Sequence, residues 1–174
     1  MKNKSIKGVI LFILILFFAF FGYQLTSKIN HKNKVAQNIK TLPTFVYENI
    51  NGTVFTQKNL KSNTPILFIY FNSECDFCNE EAQMIRENKK KLENIQVIFI
   101  SFERPELIKR FALEHQLTDY ENITFLYDRK VTFSTTFDTK SMPSLILYDK
   151  NQKLIEKIKG QTKIETIIKR LNSE

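Results

Sequence analysis

Two apolar runs constrain this chain more than any other feature. "PILFIYF", Pro65 to Phe71, and "IQVIFISF", Ile95 to Phe102, are of strand length and almost free of polar residues. A strand that is apolar at successive positions, not alternate ones, is buried on both faces. Between the runs, Ala82, Ile85 and Leu92 recur at helical spacing as far as Glu93, which predicts a helix. Strand, helix, strand in that order implies a parallel pair joined by a right-handed crossover. An α/β domain with a covered sheet is therefore expected.

The neighbouring segments extend the pattern. "PTFVYENINGTVFTQ" reads as a hairpin turning at Asn51-Gly52, a dipeptide that supplies the positive φ of a tight turn. Pro105 stands where a first helical position would be, and Leu107, Ile108, Phe111 and Ala112 form an apolar stripe to about Gln116. "ITFLYD", Ile123 to Asp128, is a third strand, and Val131, Phe133 and Phe137 suggest a short helix after it. "MPSLILYD" and "KLIEKIKG" read as two strands joined at Lys150-Asn151, hence antiparallel. Thr162 and Glu165 have the spacing of a capping box for a last helix, Lys163 to Leu171. The expected order is hairpin, β, α, β, α, β, short α, β, β, α, in a mixed sheet flanked by helices on both faces.

The net charge of +8 suggests a nucleic-acid partner until it is mapped. Seven lysines and no acid lie in residues 1–44, and the rest of the chain has 19 basic and 18 acidic residues. The folded module is thus nearly neutral, and nucleic-acid binding is not expected. "GVILFILILFFAFFGY", Gly8 to Tyr23, is uncharged. With Gln24 and Leu25 it makes a helix of about 27 Å against a hydrocarbon core of about 30 Å. An uncleaved single-pass anchor is expected in preference to a cleaved signal peptide, because no clear small-x-small site follows. The lysines are balanced across the span, so the positive-inside rule does not orient it. A short N-terminal tail ordinarily stays inside, which puts the domain outside. The expected segments are a cytoplasmic tail (1–7), a transmembrane signal-anchor (8–25), a polar tether (26–41) and a folded domain (42–174).

"NSECDFCNEE", residues 72–81, holds the only two cysteines, Cys75 and Cys78. They fall at the end of the first buried strand and the start of the helix after it. Unpaired N–H groups and the positive end of the helix dipole stabilise a thiolate there. A spacing of three lets a second thiol attack a mixed disulfide formed by the first. The pair therefore reads as a dithiol/disulfide exchange site, with Cys75 exposed as the nucleophile and Cys78 more buried as the resolving thiol. A zinc site would need four ligands, and only His31 and His115 are available to complete it; no metal and no cofactor are expected. A purely structural disulfide across so short a loop would stabilise little. His115 reads as a partly exposed residue near a helix C-terminus, where a cation is favourable. Lys89-Lys90-Lys91 reads as a solvated face.

A strand, a C-x-x-C at a helix start and a later X-Pro before an antiparallel strand pair resemble the thioredoxin-like fold. The N-terminal hairpin, the anchor and "CDFCNEE" resemble its TlpA/ResA-type branch, over about residues 42–172. That branch comprises membrane-anchored bacterial thiol–disulfide oxidoreductases facing the periplasm or outer surface. The resemblance implies that Cys75 attacks and Cys78 resolves. It implies that Pro143 is a cis-proline beside the dithiol and that the backbone of Met142 pairs with an extended substrate segment. Glu81 matches the glutamate that tunes the thiols in ResA-like proteins. The implied partners are disulfide-containing proteins, reduced by the dithiol, and a membrane electron donor protein; the implied location is the inner or cytoplasmic membrane.

This sequence departs from the family at several places. Glu74 replaces the frequent Trp, Asp76-Phe77 contains no proline, and Ile69 stands where thioredoxins carry a buried acid. Two alternatives are a non-enzymatic anchored binding module and a peroxiredoxin-like peroxidase. The latter needs Thr and Pro three and seven residues before its cysteine, where this chain has Asn72 and Phe68.

Overall fold

The computed structural model describes residues 2–172, with side chains described from residue 13 onward. It contains two units, residues 1–38 and 39–174. The first is one helix, α1 (Lys2–Asn38). Among the described residues its stretch Ile13–Asn38 is the one helix long and apolar enough to cross a membrane. The helix continues through most of the segment expected to be a tether, and the compact unit starts at Ile39. Ile39 and Leu42 are already buried in that unit. Tyr148, fully buried, donates its hydroxyl to the carbonyl of Ile39 at 2.8 Å, and Thr41 bridges to Lys153. The domain therefore takes in three residues assigned by sequence to the tether.

The second unit contains β1 (Val46–Asn49), β2 (Val54–Thr56), β3 (Ile66–Tyr70), α2 (Asp76–Glu87), β4 (Gln96–Ser101) and α3 (Pro105–Glu114). These are followed by β5 (Ile123–Tyr127), α4 (Thr132–Thr136), β6 (Ser144–Tyr148), β7 (Leu154–Lys159) and α5 (Ile164–Leu171). The seven strands form one sheet in the order β2-β1-β5-β4-β3-β6-β7. β3, β4 and β5 are mutually parallel neighbours, whereas β6 is antiparallel to β3 and to β7. The hairpin turns at Gly52, whose φ of +85° is the conformation expected of it, and joins the sheet through β1 against β5.

Topology decides which face each helix covers. The chain steps from β3 to β4 to β5 in one direction, so two right-handed crossovers put α2 and α3 on the same face. That face is the main core. Leu67, Ile69 and Phe71 of the β3 run and Phe99 of β4 meet Ala82 and Ile85 of α2, Phe111 of α3, and Ile164 and Ile167 of α5. The opposite face is aromatic. Phe68 lies 6.0 Å from Phe133 and 6.1 Å from Tyr148 between ring centroids, and Tyr70 stacks on Phe133 at 5.1 Å. Its helical cover is the short α4, whose first turn is held by the buried Asp128. That carboxylate accepts the Thr132 and Phe133 N–H groups at 3.0 and 2.7 Å.

Two local expectations fail. The helix after the dithiol ends at Glu87, and Lys89–Leu92 is a 3₁₀ turn that carries Leu92 into the core. The capping box at Thr162 does not form: Lys163 is the N-cap and makes no side-chain cap bond. The N–H of Thr162 is directed elsewhere, toward a buried carboxylate described below.

Phe99 lies at the centre of the main core, 4.8 Å from Phe125 and 5.6 Å from Phe71 between ring centroids. Phe99→Ala is expected to lose about 3–5 kcal/mol of stability, read as a lowered midpoint of chemical denaturation.

Candidate active site

The site forms where β3 hands over to α2. Phe71 still pairs with β4, its N–H on the carbonyl of Ile100 at 3.0 Å. The next four residues make a turn held from several directions. Glu74 N–H donates to Asn72 Oδ1 at 2.9 Å. Both the N–H and the hydroxyl of Ser73 donate to the Glu103 carboxylate at 2.7 Å, and Ser101 Oγ donates to it at 3.1 Å. Glu103 thus clamps the turn from the end of β4.

Cys75 is the N-cap of α2, in extended conformation and with no side-chain cap bond. Its carbonyl accepts the N–H groups of Cys78 and Asn79 at 2.9 and 3.0 Å, which starts the helix. The two cysteines are free thiols in different surroundings. Cys75 is partly exposed, whereas Cys78 is 1% exposed and belongs to the main core cluster. Burial is the chief cause that pushes the Cys78 thiol far up; the neighbouring Cys75 and Glu81 push the same way, and the backbone of Asn72 opposes them. Phe77, between the cysteines, is 59% exposed and leaves an apolar side chain at the mouth of the site.

From the neighbouring strand comes the segment before β6. The Met142-Pro143 bond is cis, as expected. The thiol of Cys75 lies 3.6 Å from the carbonyl oxygen of Met142. Met142 is itself half-buried against the core, and the carbonyl of Pro143 is taken by Gly160 N–H at 2.8 Å. Cys75, Cys78, Met142 and Pro143, read from separate parts of the sequence, meet in one place.

Glu81 is wholly buried, three residues after Cys78 and so on the same side of α2. Its Oε2 accepts one long hydrogen bond, 3.4 Å, from Thr162 N–H, and Oε1 has no partner. Desolvation dominates and raises its pKa to about 7, with the Thr162 bond pulling the other way. A solvated helix position is therefore excluded for this residue.

His115 is partly exposed at the C-cap of α3, as expected, but the expected cation is not favoured there. Its ring packs at 4.4 Å from that of Phe111, and burial lowers its pKa, with Glu114 opposing and Arg86 assisting. The neutral imidazole is favoured, not a cation at a helix end. Nε2 lies 2.8 Å from Asn79 Oδ1, and Asn79 Nδ2 donates to the carbonyls of Cys75 and Ser73 at 3.0 and 3.3 Å. Sequence reasoning passed over Asn79, Ser73 and Glu103, and gave Thr162 a capping role in place of its bond to Glu81. Only Glu103 had a usable signal, since residues just beyond the carboxyl ends of parallel strands gather at one edge of the sheet.

The geometry suits exchange between a partly exposed thiol and a buried one, and comparison with known proteins agrees. The AhpC/TSA family model matches residues 39–157. A thiol-disulfide oxidoreductase ResA of Bacillus cereus is 25% identical over 163 residues, 92% of this chain and 90% of that protein. A secreted Mycobacterium tuberculosis disulfide oxidoreductase homologous to E. coli DsbE superposes with a TM-score of 0.63 at 15% identity, over 75% of this chain and 96% of that one. The peroxidoxin BcpB of the same organism superposes at 0.66 and 19% identity, over 76% and 94%. The two structural likenesses show the fold alone. Together with the dithiol at the strand-to-helix junction, the family match leads to one conclusion: this chain belongs to the AhpC/TSA family, as a thioredoxin-like thiol–disulfide oxidoreductase similar in sequence to ResA.

Proposed function

We propose that this protein is a membrane-anchored reductant of disulfides in partner proteins outside the cytoplasm, with Cys75 attacking and Cys78 resolving. The observation that carries the reading is the asymmetry of the dithiol: Cys75 is partly exposed at a helix start beside Met142, and Cys78 is enclosed in the core. In the first step the Cys75 thiolate attacks one sulfur of a partner disulfide, and the displaced partner sulfur takes up a proton. In the second, Cys78 gives up its proton and attacks Cys75 Sγ. The second partner thiol leaves, and a Cys75–Cys78 disulfide remains. Two electrons and two protons have passed to the partner, so a membrane electron donor protein must return them.

Glu81 is the proposed proton acceptor for Cys78. Burial makes the Cys78 proton hard to lose, and a base whose pKa lies near working pH can take it and later give it back. Met142 and Pro143 are the proposed contact for an extended substrate segment, through the backbone beside Cys75. Residues 1–7 are assigned to the cytoplasm, 8–25 to the membrane, 26–41 to the connection and 42–174 to the redox domain. The location proposed is the inner or cytoplasmic membrane, supported by the apolar α1 and by the likeness to ResA.

The burial of the resolving thiol supports the reducing direction. Strong oxidants owe their power to a stabilised thiolate, which favours the reduced form. Here Cys78 gains nothing from ionisation, because burial and Glu81 both oppose it. A peroxidatic alternative lacks its Thr and Pro: the positions are Asn72 and Phe68, the latter packed among aromatic rings.

Three measurements test the reading. With the full chain in detergent, Cys75→Ser is expected to abolish reduction of insulin disulfides, while Cys78→Ser accumulates mixed disulfides. Equal accumulation in both variants contradicts the assignment. Equilibration with thiol buffers is expected to give a potential nearer thioredoxin's value of about −270 mV than the isomerase value of about −180 mV; a value above the latter overturns the direction. Glu81→Gln is expected to slow resolution of a trapped mixed disulfide by about tenfold or more. The same variant has a stability signature. A carboxyl raised in the folded state stabilises fully below its ordinary pKa of about 4.3, and that contribution is lost as pH rises toward and through the folded value of about 7. Relative to Glu81→Gln, wild type is expected to lose up to about 3 kcal/mol between pH 5 and 8, measured by denaturation at each pH. A flat difference contradicts the buried carboxyl.

A further inference from the structure

We infer that His115 is a positioning residue for the dithiol, acting through Asn79 to fix the turn that presents Cys75. This deepens the function proposed above and rests on its reading of Cys75 as the attacking thiol.

The hydrogen-bond chemistry allows only one arrangement. The end of the Asn79 amide that faces the carbonyls of Cys75 and Ser73, at 3.0 and 3.3 Å, must be the NH₂ group. Its two hydrogens are thereby both used. The other end is then the oxygen, which can only accept, and it lies 2.8 Å from His115 Nε2. Nε2 therefore carries a hydrogen, and the neutral imidazole is the Nε2–H tautomer. The ring is held against Phe111. Arg86 on α2 and Glu114 on α3 are the charges that act on it, with opposite signs.

Each bond in this chain determines the next. Without the His115 donor, Asn79 Oδ1 loses its partner, and the amide is held only by its two bonds to the carbonyls of Cys75 and Ser73. Those carbonyls belong to the turn that leads into α2. Cys75 makes no side-chain cap bond of its own, so the placement of its sulfur at the helix start depends on its contact with the Met142 carbonyl, on backbone bonds, on the Glu103 clamp and on Asn79. His115 lies 36 residues from Asn79 in sequence and touches neither thiol in any hydrogen bond described. Its effect on Cys75 is purely positional.

The test uses the full chain in detergent, reduced and carrying Cys78→Ser, so that Cys75 alone reports. The readout is the rate of iodoacetamide alkylation at neutral pH. His115→Phe keeps the packing on Phe111 and removes the donor; it is expected to slow alkylation about fivefold, the scale of a helix-terminus contribution to a thiolate. His115→Gln restores an N–H donor without a titrating ring and is expected to return the rate to near that of the parent. Asn79→Ala, on a partly exposed position of α2, is expected to match His115→Phe. The double variant is expected to be no slower than either single, since both break one chain of bonds. An unchanged rate in His115→Phe, a failure of Gln to restore it, or effects that multiply in the double variant overturns the inference. The underlying reading fails in a different experiment: wild-type protein in which Cys78 alkylates before Cys75 refutes the attacking role itself.

Discussion

Complete burial of β3 is the constraint on which the rest of this domain depends. Every residue from Ile66 to Tyr70 is buried, and the strand is paired on both sides, parallel to β4 and antiparallel to β6. A central strand of this kind must be covered above and below. Its odd-numbered side chains take α2, α3 and α5, and its even-numbered ones take an aromatic layer. The pairing also fixes where the chain can leave the sheet. It can turn only after Phe71, so the dithiol stands at the strand's carboxyl end. The antiparallel partner β6 begins at Ser144, opposite Tyr70, which carries Met142 and Pro143 to the same end. The site is a consequence of register.

Burial at this junction sets the chemistry as well as the position. Cys78 and Glu81 share the inner side of α2 and are both withdrawn from water. Each ionised group would destabilise the other, and the single long bond from Thr162 compensates the carboxylate poorly. The pair therefore favours holding protons over holding charge. A thiol and a carboxyl in this state can exchange a proton without leaving a buried negative charge on both. Elsewhere in the site the acidic groups are differently placed: Glu103 is tied to the Ser73 turn by hydrogen bonds, and its part is mechanical.

The elements of this fold that were legible in the sequence are those governed by local pattern. The runs at Pro65 and Ile95 announced β3 and β4, Asn51-Gly52 the hairpin turn, and Pro105 the first residue of α3. The cysteine pair was legible because its spacing and its place after a buried run carry meaning together. What escaped was set by pairings across the sheet. Asn79 and His115, Ser73 and Glu103, and Glu81 and Thr162 are 36, 30 and 81 residues apart, and no periodicity announces them. Thr162 shows how the local rule loses. Its spacing to Glu165 fits a capping box, yet the helix is capped at Lys163 without a side-chain bond, and the Thr162 N–H faces a buried carboxylate instead. The tether shows the opposite error. Its lysines and asparagines read as a polar tether, but they are also compatible with helix, and α1 continues through them to Asn38.

The two outer strands of the sheet give the protein a further property. β2, at one edge, is only three residues long. β7, at the other, carries Glu156, Lys157 and Lys159, and the Thr41 bridge at Lys153 covers its approach. Short or charged edges are poor templates for adding a foreign strand. A long bare edge would pair with any exposed β-forming segment that it met. Here both borders of the sheet are poor partners for such a segment, so the domain keeps its hydrogen-bonding strands to itself.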